Sequence, residues 1–242
     1  MKLEDLRGDL HMHTTASDGR NSVLEMGRAA LERGYEYIAI TDHSASHGFG
    51  NHVTPEELER QIERVGRANT RLEDITILAG SEVNVMPDGS LDYDDELLAR
   101  LDWVVASVHT SFRMPEAEMT ARMIRAIEHP LVDMIGHPTG RMIGQREGYD
   151  IDMDAVIEAA ANAGTFLEIN ANPNRRDLPD NYARAAAAKG VTLVIDADAH
   201  GTDTLEKIRF GVATARRAWL TKEDVANTRS WPELEKLRKR GP

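Results

Sequence analysis

The chain contains no cysteine, so neither a disulfide nor a thiolate metal site can form, and a reducing cytoplasm is the expected setting. Aromatic residues make up only 5% of the sequence, too few to lay out a run of stacking platforms for nucleic-acid bases. No apolar run approaches the roughly 20 residues that a membrane-spanning helix needs, and the start, Met1 to Asp5, lacks the apolar core of a secretory signal. Positive charge is also scarce. Lys and Arg number 29 against 41 Asp and Glu, a formal net charge of −12, which argues against unaided tight binding to duplex nucleic acid. What remains is an ordinary globular mixture, 41% hydrophobic and 29% charged over 242 residues, sufficient for one large domain with a buried core.

Short β-like apolar runs alternate with helical segments along the whole chain, the mark of an α/β fold. The first run closes at Leu10. Ser22 to Glu25 forms a capping box for a helix that ends at Gly34, and Thr54-Pro55-Glu56-Glu57 opens the next with a cap and a proline in its first turn. Strands are expected at Tyr37–Thr41, from Ile75 past Glu82, Trp103–Val108, Met134–Gly136, Phe166–Ile169 and from Leu193. Asp152 caps a helix ending at Gly164, a further helix covers 179–189, and the remainder reads as helical with Thr221 as a cap. No linker or repeat divides residues 1–242, so a single domain is expected.

The residues that follow each strand carry the chemistry. In order they are His11 and His13, Asp42-His43, Glu82, His109, His137, Asn170 and Asn172, and Asp198 with His200. In a parallel α/β barrel the C-terminal strand ends converge on one face, which brings these distant side chains into one pocket. His11-Met12-His13 and Asp198-Ala199-His200 each place two ligands on one side of an extended segment, because side chains alternate with period two. Imidazole with carboxylate and no sulfur suits Zn, Mn or Fe.

His11-Met12-His13-Thr14, Ser17-Asp18-Gly19, Thr41-Asp42-His43, Gly80-Ser81-Glu82, Ser107-Val108-His109, Gly136-His137-Pro138 and Asp198-Ala199-His200 together resemble the polymerase and histidinol phosphatase (PHP) family. Glu168 to Pro173 and Phe210 to Arg217 narrow the likeness to the C-terminal PHP domain of bacterial family X DNA polymerases. The resemblance implies a distorted (β/α)7 TIM-like barrel and three divalent metal ions. The first would be held by His11, His13, Glu82 and Asp198; the second by Glu82 as a bridge with His109 and His137; the third by Asp18, His43 and His200. Glu82, Asp198, His200 and Arg175 would serve catalysis. Metal-activated water would attack phosphorus, so no Ser or Cys nucleophile is required, and no G-x-S-x-G elbow is present. Related chains often carry small or hydroxyl residues where this one has Asp196-Ala197.

Arg175 and Arg141 lie just beyond strand ends and are the expected phosphate clamps, since guanidinium forks match phosphate oxygens. His47 and His52, in the Gly-rich loop 44–53, and the basic tail around Lys236–Arg240 are expected to be solvated. Two substrate classes fit: DNA 3′ ends, for exonuclease or 3′-phosphatase chemistry, or a small phosphomonoester such as a nucleotide or histidinol phosphate. No polymerase or DNA-binding module fits before Arg7, so any such partner would lie on another segment, and the chain reads as an excised domain or a free-standing relative. A C–N hydrolase is a weaker reading because no strand ends in Lys, and a non-catalytic docking domain is weaker still because the ligand set is intact. No membrane partner is expected.

Overall fold

The computed structural model describes residues 1–46 and 53–241, so His47 and His52 lie outside the described residues. Seven parallel strands run in chain order: β1 (Gly8–Asp9), β2 (Tyr37–Ile40), β3 (Thr76–Asn84), β4 (Trp103–Ser107), β5 (Met134–Ile135), β6 (Phe166–Asn170) and β7 (Leu193–Asp196). Between them lie α1 (Val23–Leu31), α2 (Pro55–Asn69), α3 (Asp95–Leu98), α4 (Glu116–Glu128), α5 (Met153–Ala163) and α6 (Asp180–Ala188), followed by α7 (Ile208–Arg217) and α8 (Trp231–Glu235). This is the expected distorted (β/α)7 barrel. The helix boundaries follow local chemistry: Ser22 and Thr54 each close a capping box, Asp152 accepts from the amides of Asp154 and Ala155, and Gly164 ends α5 at φ 69°.

The barrel interior is graded along the strands. At the N-terminal end it is apolar: Tyr37, Leu78, Trp103, Met134, Phe166 and Val194 form one buried cluster, with Trp103 stacked on Phe166 at 5.8 Å. Two residues further along, the same faces turn polar, as in Phe166–Glu168–Asn170 and Val194–Asp196–Asp198, all buried. A larger apolar cluster lies between the sheet and the surrounding helices.

Seven strands do not close a barrel by ladder bonds alone, and β1 meets β7 through side chains. Asp196 Oδ1 accepts from the Leu10 amide at 2.6 Å, and Asp9 accepts from the Ala197 amide at 3.2 Å. Asn227 donates to the carbonyls of Gly8 and Ile195 at 2.8 and 2.7 Å. Above them a single parallel bridge, Met12 to Ala199, completes the seam. The Asp196 carboxyl, the departure noted in the sequence, is thus a seam element. Burial pushes it up to about 7, so it shares the seam with Asp9 without two full charges in contact.

Two expectations for the C-terminus are corrected. The remainder after α7 is mostly short 3-10 turns, Lys222–Asp224 and Ala226–Thr228, with only α8 as a further α-helix. Lys236 is exposed as expected, but the rest of the basic tail is docked under the barrel rather than solvated: Arg240 pairs with buried Asp133 at 2.7 Å, Lys239 donates to the Ile127 carbonyl at 2.8 Å, and Arg238 donates to the Asp102 carbonyl at 2.5 Å. Guanidinium and ammonium groups satisfy a carbonyl in the last turn of α4, one just before β4, and a buried carboxylate. No helix among the described residues is long and apolar enough to cross a membrane.

Candidate metal centre

The strand ends deliver the expected ligands to one pocket. Glu82, near the end of the long β3 and 1% exposed, sits at its centre. Its Oε2 faces His43 Nδ1 at 2.9 Å, His11 Nε2 at 3.3 Å and His13 Nε2 at 3.6 Å; its Oε1 faces His137 Nε2 at 2.9 Å and His109 Nε2 at 3.3 Å. The two oxygens of one carboxylate therefore address two different imidazole sets. Asp198 Oδ1 lies 3.2 Å from His13 Nε2 and 3.9 Å from His11 Nε2. Asp18 Oδ2 lies 3.2 Å from His200 Nε2 and 3.6 Å from His43 Nε2. All nine expected ligands thus line one pocket.

At two of the expected ligands the backbone leaves ordinary strand geometry. His137 and Asp198 adopt left-handed conformations, φ 30° and 50°, which cost a non-glycine residue on the order of 1–3 kcal/mol each and persist only where packing imposes them. Gly136 has to be glycine, since a Cβ there would stand 2.4 Å from Ser107 Oγ and 2.9 Å from Val105.

The donor set fits divalent cations. His11 Nε2 and His13 Nδ1 are buried and make no hydrogen bond among the described residues; carboxylate oxygens face them at 3.3 and 3.7 Å, a separation that a coordinated ion would bridge. Three ligand groups have donor atoms within 4.8 Å of one another: His11, His13 and Asp198; His43, Glu82 and His109; and His13, Asp18, His43 and His200. The last contains the expected third set and adds His13, and the second draws in His43. His137 approaches through Glu82.

The charges of these side chains are divided accordingly. Burial, reinforced by neighbouring imidazoles for His13 and by Arg175 for His137, holds both rings down to about 3, leaving them neutral and ready to ligate. His200 is the opposite case. Burial disfavours its cation, but the hydrogen bond to Asp18 and the Asp198 carboxylate outweigh it and push it up to about 9. A cation taken up by Asp18, His43 and His200 must therefore displace a proton from His200. Since binding needs the neutral ring, the apparent Mn²⁺ affinity of this set should rise about tenfold per pH unit between pH 7 and 9 and level off above. Calorimetry in buffers of different ionisation enthalpy would show close to one proton released at pH 7; a pH-independent affinity would remove His200 from the ligand set.

Residues beyond the expected set orient it. Glu168, fully buried, accepts from His11 Nδ1 at 2.8 Å and from the His137 amide at 2.5 Å, which fixes the His11 tautomer so that Nε2 faces the pocket. Asn170 donates to Asp198 Oδ2 at 3.0 Å. Asp42 is a strut: it accepts from Thr14, Ser17 and Gln61, each at 2.7 Å, and holds the loop after β1. The sequence showed Glu168 only as part of a strand and of a family motif, and not its role, since its partner lies 157 residues away.

Of the two arginines, Arg175 reaches the centre, with Nε 3.6 Å from Asp198 Oδ2 and a buried Nη1 that makes no hydrogen bond among the described residues. Burial opposes its charge, yet the Asp198 and Glu82 carboxylates raise it above its ordinary value. Arg141 instead donates through Nε to the Arg175 carbonyl at 2.8 Å and through Nη2 to the Arg176 carbonyl. As placed, it supports the loop that carries Arg175.

Residues 9–172 match the family described as "PHP domain". The chain is 45% identical over 240 residues to the DNA polymerase/3′-5′ exonuclease PolX of Bacillus subtilis, covering 99% of this chain but 42% of that protein. It is 33% identical over 239 residues to a probable phosphatase of Thermoanaerobacter sp., covering 91% of this chain and 89% of the relative. Among solved structures, histidinol phosphate phosphatase of Lactococcus lactis, complexed with zinc, L-histidinol and phosphate, superposes with a TM-score of 0.64 at 16% identity, covering 89% of this chain and 94% of that one.

Proposed function

Because this chain belongs to the PHP domain family of metal-dependent phosphoesterases, we propose that it hydrolyses phosphate esters at the 3′ ends of DNA strands in the cytoplasm, with three divalent cations in the pocket. The observation that carries this reading is Glu82, whose two oxygens face separate imidazole sets. In it His11, His13, Glu82 and Asp198 hold the first ion, Glu82, His109 and His137 the second, and Asp18, His43 and His200 the third, the ions being Zn, Mn or Fe. Bound there, the ions supply Lewis acidity toward phosphoryl oxygens and make water acidic enough to serve as nucleophile near neutral pH. The chain's own part is orientation and charge. Arg175 presents an unengaged Nη1 to a non-bridging phosphoryl oxygen, and Glu168 keeps the His11 ring turned inward. Burial of the pocket keeps these contacts strong.

A second substrate class, a small phosphomonoester, is favoured by the similarity to a probable phosphatase along nearly its whole length. A Mn²⁺-loaded sample should therefore be assayed on 3′-labelled single-stranded DNA, an abasic-site duplex, nucleotides and histidinol phosphate. Turnover of the small esters alone would exclude the DNA reading. On the preferred substrate, Arg175→Ala should lower kcat/KM on the order of 10- to 1000-fold, as expected for a lost charge-assisted contact of about 1.5–3 kcal/mol or more, with metal content intact by elemental analysis. Unchanged kinetics would place Arg175 outside substrate binding.

A further inference from the structure

Beside the metal pocket a groove of 740 Å³ runs between α1 and α2. One wall is the face of α2 and the turn after it, with Gln61, Arg64, Arg67 and Arg71; the other is the first turn of α1 with the Thr14–Ala16 loop. From Glu57 to Asn69 the helical part of this wall is about 18 Å long at about 1.5 Å per residue. Its upper end is joined to the centre: Gln61 donates to Asp42 at 2.7 Å and to Thr14 at 3.2 Å, and these residues adjoin His43 and His13 in the chain. In a protein of net charge −12, the lining of α2 and the turn after it carries three arginines and one carboxylate, Glu57, which faces the Thr54 amide of its own helix cap at 3.4 Å. Glu56, Glu59 and Glu63 do not line the groove.

Arg64 and Arg67 stand three residues apart on one face of α2, with about 5–6 Å between their Cβ atoms, and Arg71 follows in the turn after the helix. All three residues are exposed. Arg67 pairs with Glu63 at 3.4 Å and Arg64 with the Gln61 side chain at 3.1 Å, surface contacts worth about 0–1 kcal/mol that a phosphate can displace. We infer that this groove takes the backbone of a single-stranded nucleic acid, with successive phosphates on Arg64, Arg67 and Arg71 and the strand's end directed to the metal pocket. The inference deepens the DNA reading above and rests on it for the end that reacts. Overall acidity does not oppose it, because the contact is a local stripe and needs no basic face wide enough for a duplex.

The test is fluorescence anisotropy with a labelled twelve-nucleotide oligothymidylate and the full Mn²⁺-loaded chain, at 50 and 200 mM salt. Combined Arg64→Ala, Arg67→Ala and Arg71→Ala should raise Kd on the order of 10- to 100-fold and lower the log–log salt slope by about two, at about 0.7 per single-strand phosphate released. A matched variant with Arg209→Ala, Arg216→Ala and Arg217→Ala on α7 loses the same charge and should bind as the wild type does. Equal weakening in both variants would reduce the effect to net charge, and unchanged binding in the first would empty the groove; either overturns the inference. A mononucleotide that binds as tightly as the oligomer would also overturn it, by showing a single-anion site. Strand binding without 3′-end cleavage would instead sink the proposed reaction and leave the groove standing.

Discussion

Replacing Glu82 by Gln should reduce phosphoesterase activity on the order of 10³-fold or more and lower the metal content of the purified protein. The neutral amide keeps the shape of the side chain, so the barrel should remain folded. It removes the one carboxylate that faces five imidazoles, His43, His11 and His13 through one oxygen and His137 and His109 through the other. The pocket then keeps Asp198 and Asp18 to balance the cations, both of them beside His13 and His200. A single lost ligand elsewhere, such as His109, would weaken one ion, whereas loss of Glu82 weakens the pair. Elemental analysis beside steady-state kinetics separates the possibilities. Activity within a few-fold of wild type at full metal content would show that no bridge exists at this position.

The second large effect lies at the opposite end of the barrel. Arg240→Ala should destabilise the fold by about 3–5 kcal/mol, the cost of stranding a buried charge, and lower Tm by roughly 10 °C at 2–4 °C per kcal/mol for a chain of this size. Asp133, 1% exposed, accepts from Arg240 at 3.1 and 2.7 Å and from the Val104 amide at 2.9 Å. Burial already raises its carboxyl above the ordinary range, with Arg240 as the main opposing influence. Without the guanidinium the folded state binds a proton there more tightly than the unfolded chain does. Stability then falls as pH rises from the unfolded value, and the deficit should be smaller at pH 5 than at pH 7. Adding Asp133→Asn to Arg240→Ala should recover much of the loss. If the single variant melts with the wild type, the tail is not anchored by this pair.

The sequence by itself determined which imidazoles and carboxylates end the strands and the order in which they come. A period of two puts His11 with His13 and Asp198 with His200, and helix caps such as Ser22, Thr54 and Asp152 mark where each crossover begins; these are local properties, carried by neighbours within four residues. It also placed Arg175 at the pocket. Contacts between distant segments were decided only by the tertiary structure. Glu168 reads as an ordinary strand residue until His11 is brought against it. Asp9 and Asp196, set 186 or more residues from the backbone amides they accept, close a seam that seven short strands leave open. The arginines of α2 and of the turn after it gain a role only from the groove formed with α1. The tail showed only charge, which predicts solvent exposure; its docking arises because α8 brings it beside the end of α4 and the start of β4, whose carbonyls, with Asp133, take its donors. Which donor groups end the strands is a property of residue type and local period, whereas partner and burial depend on which segments the barrel brings together.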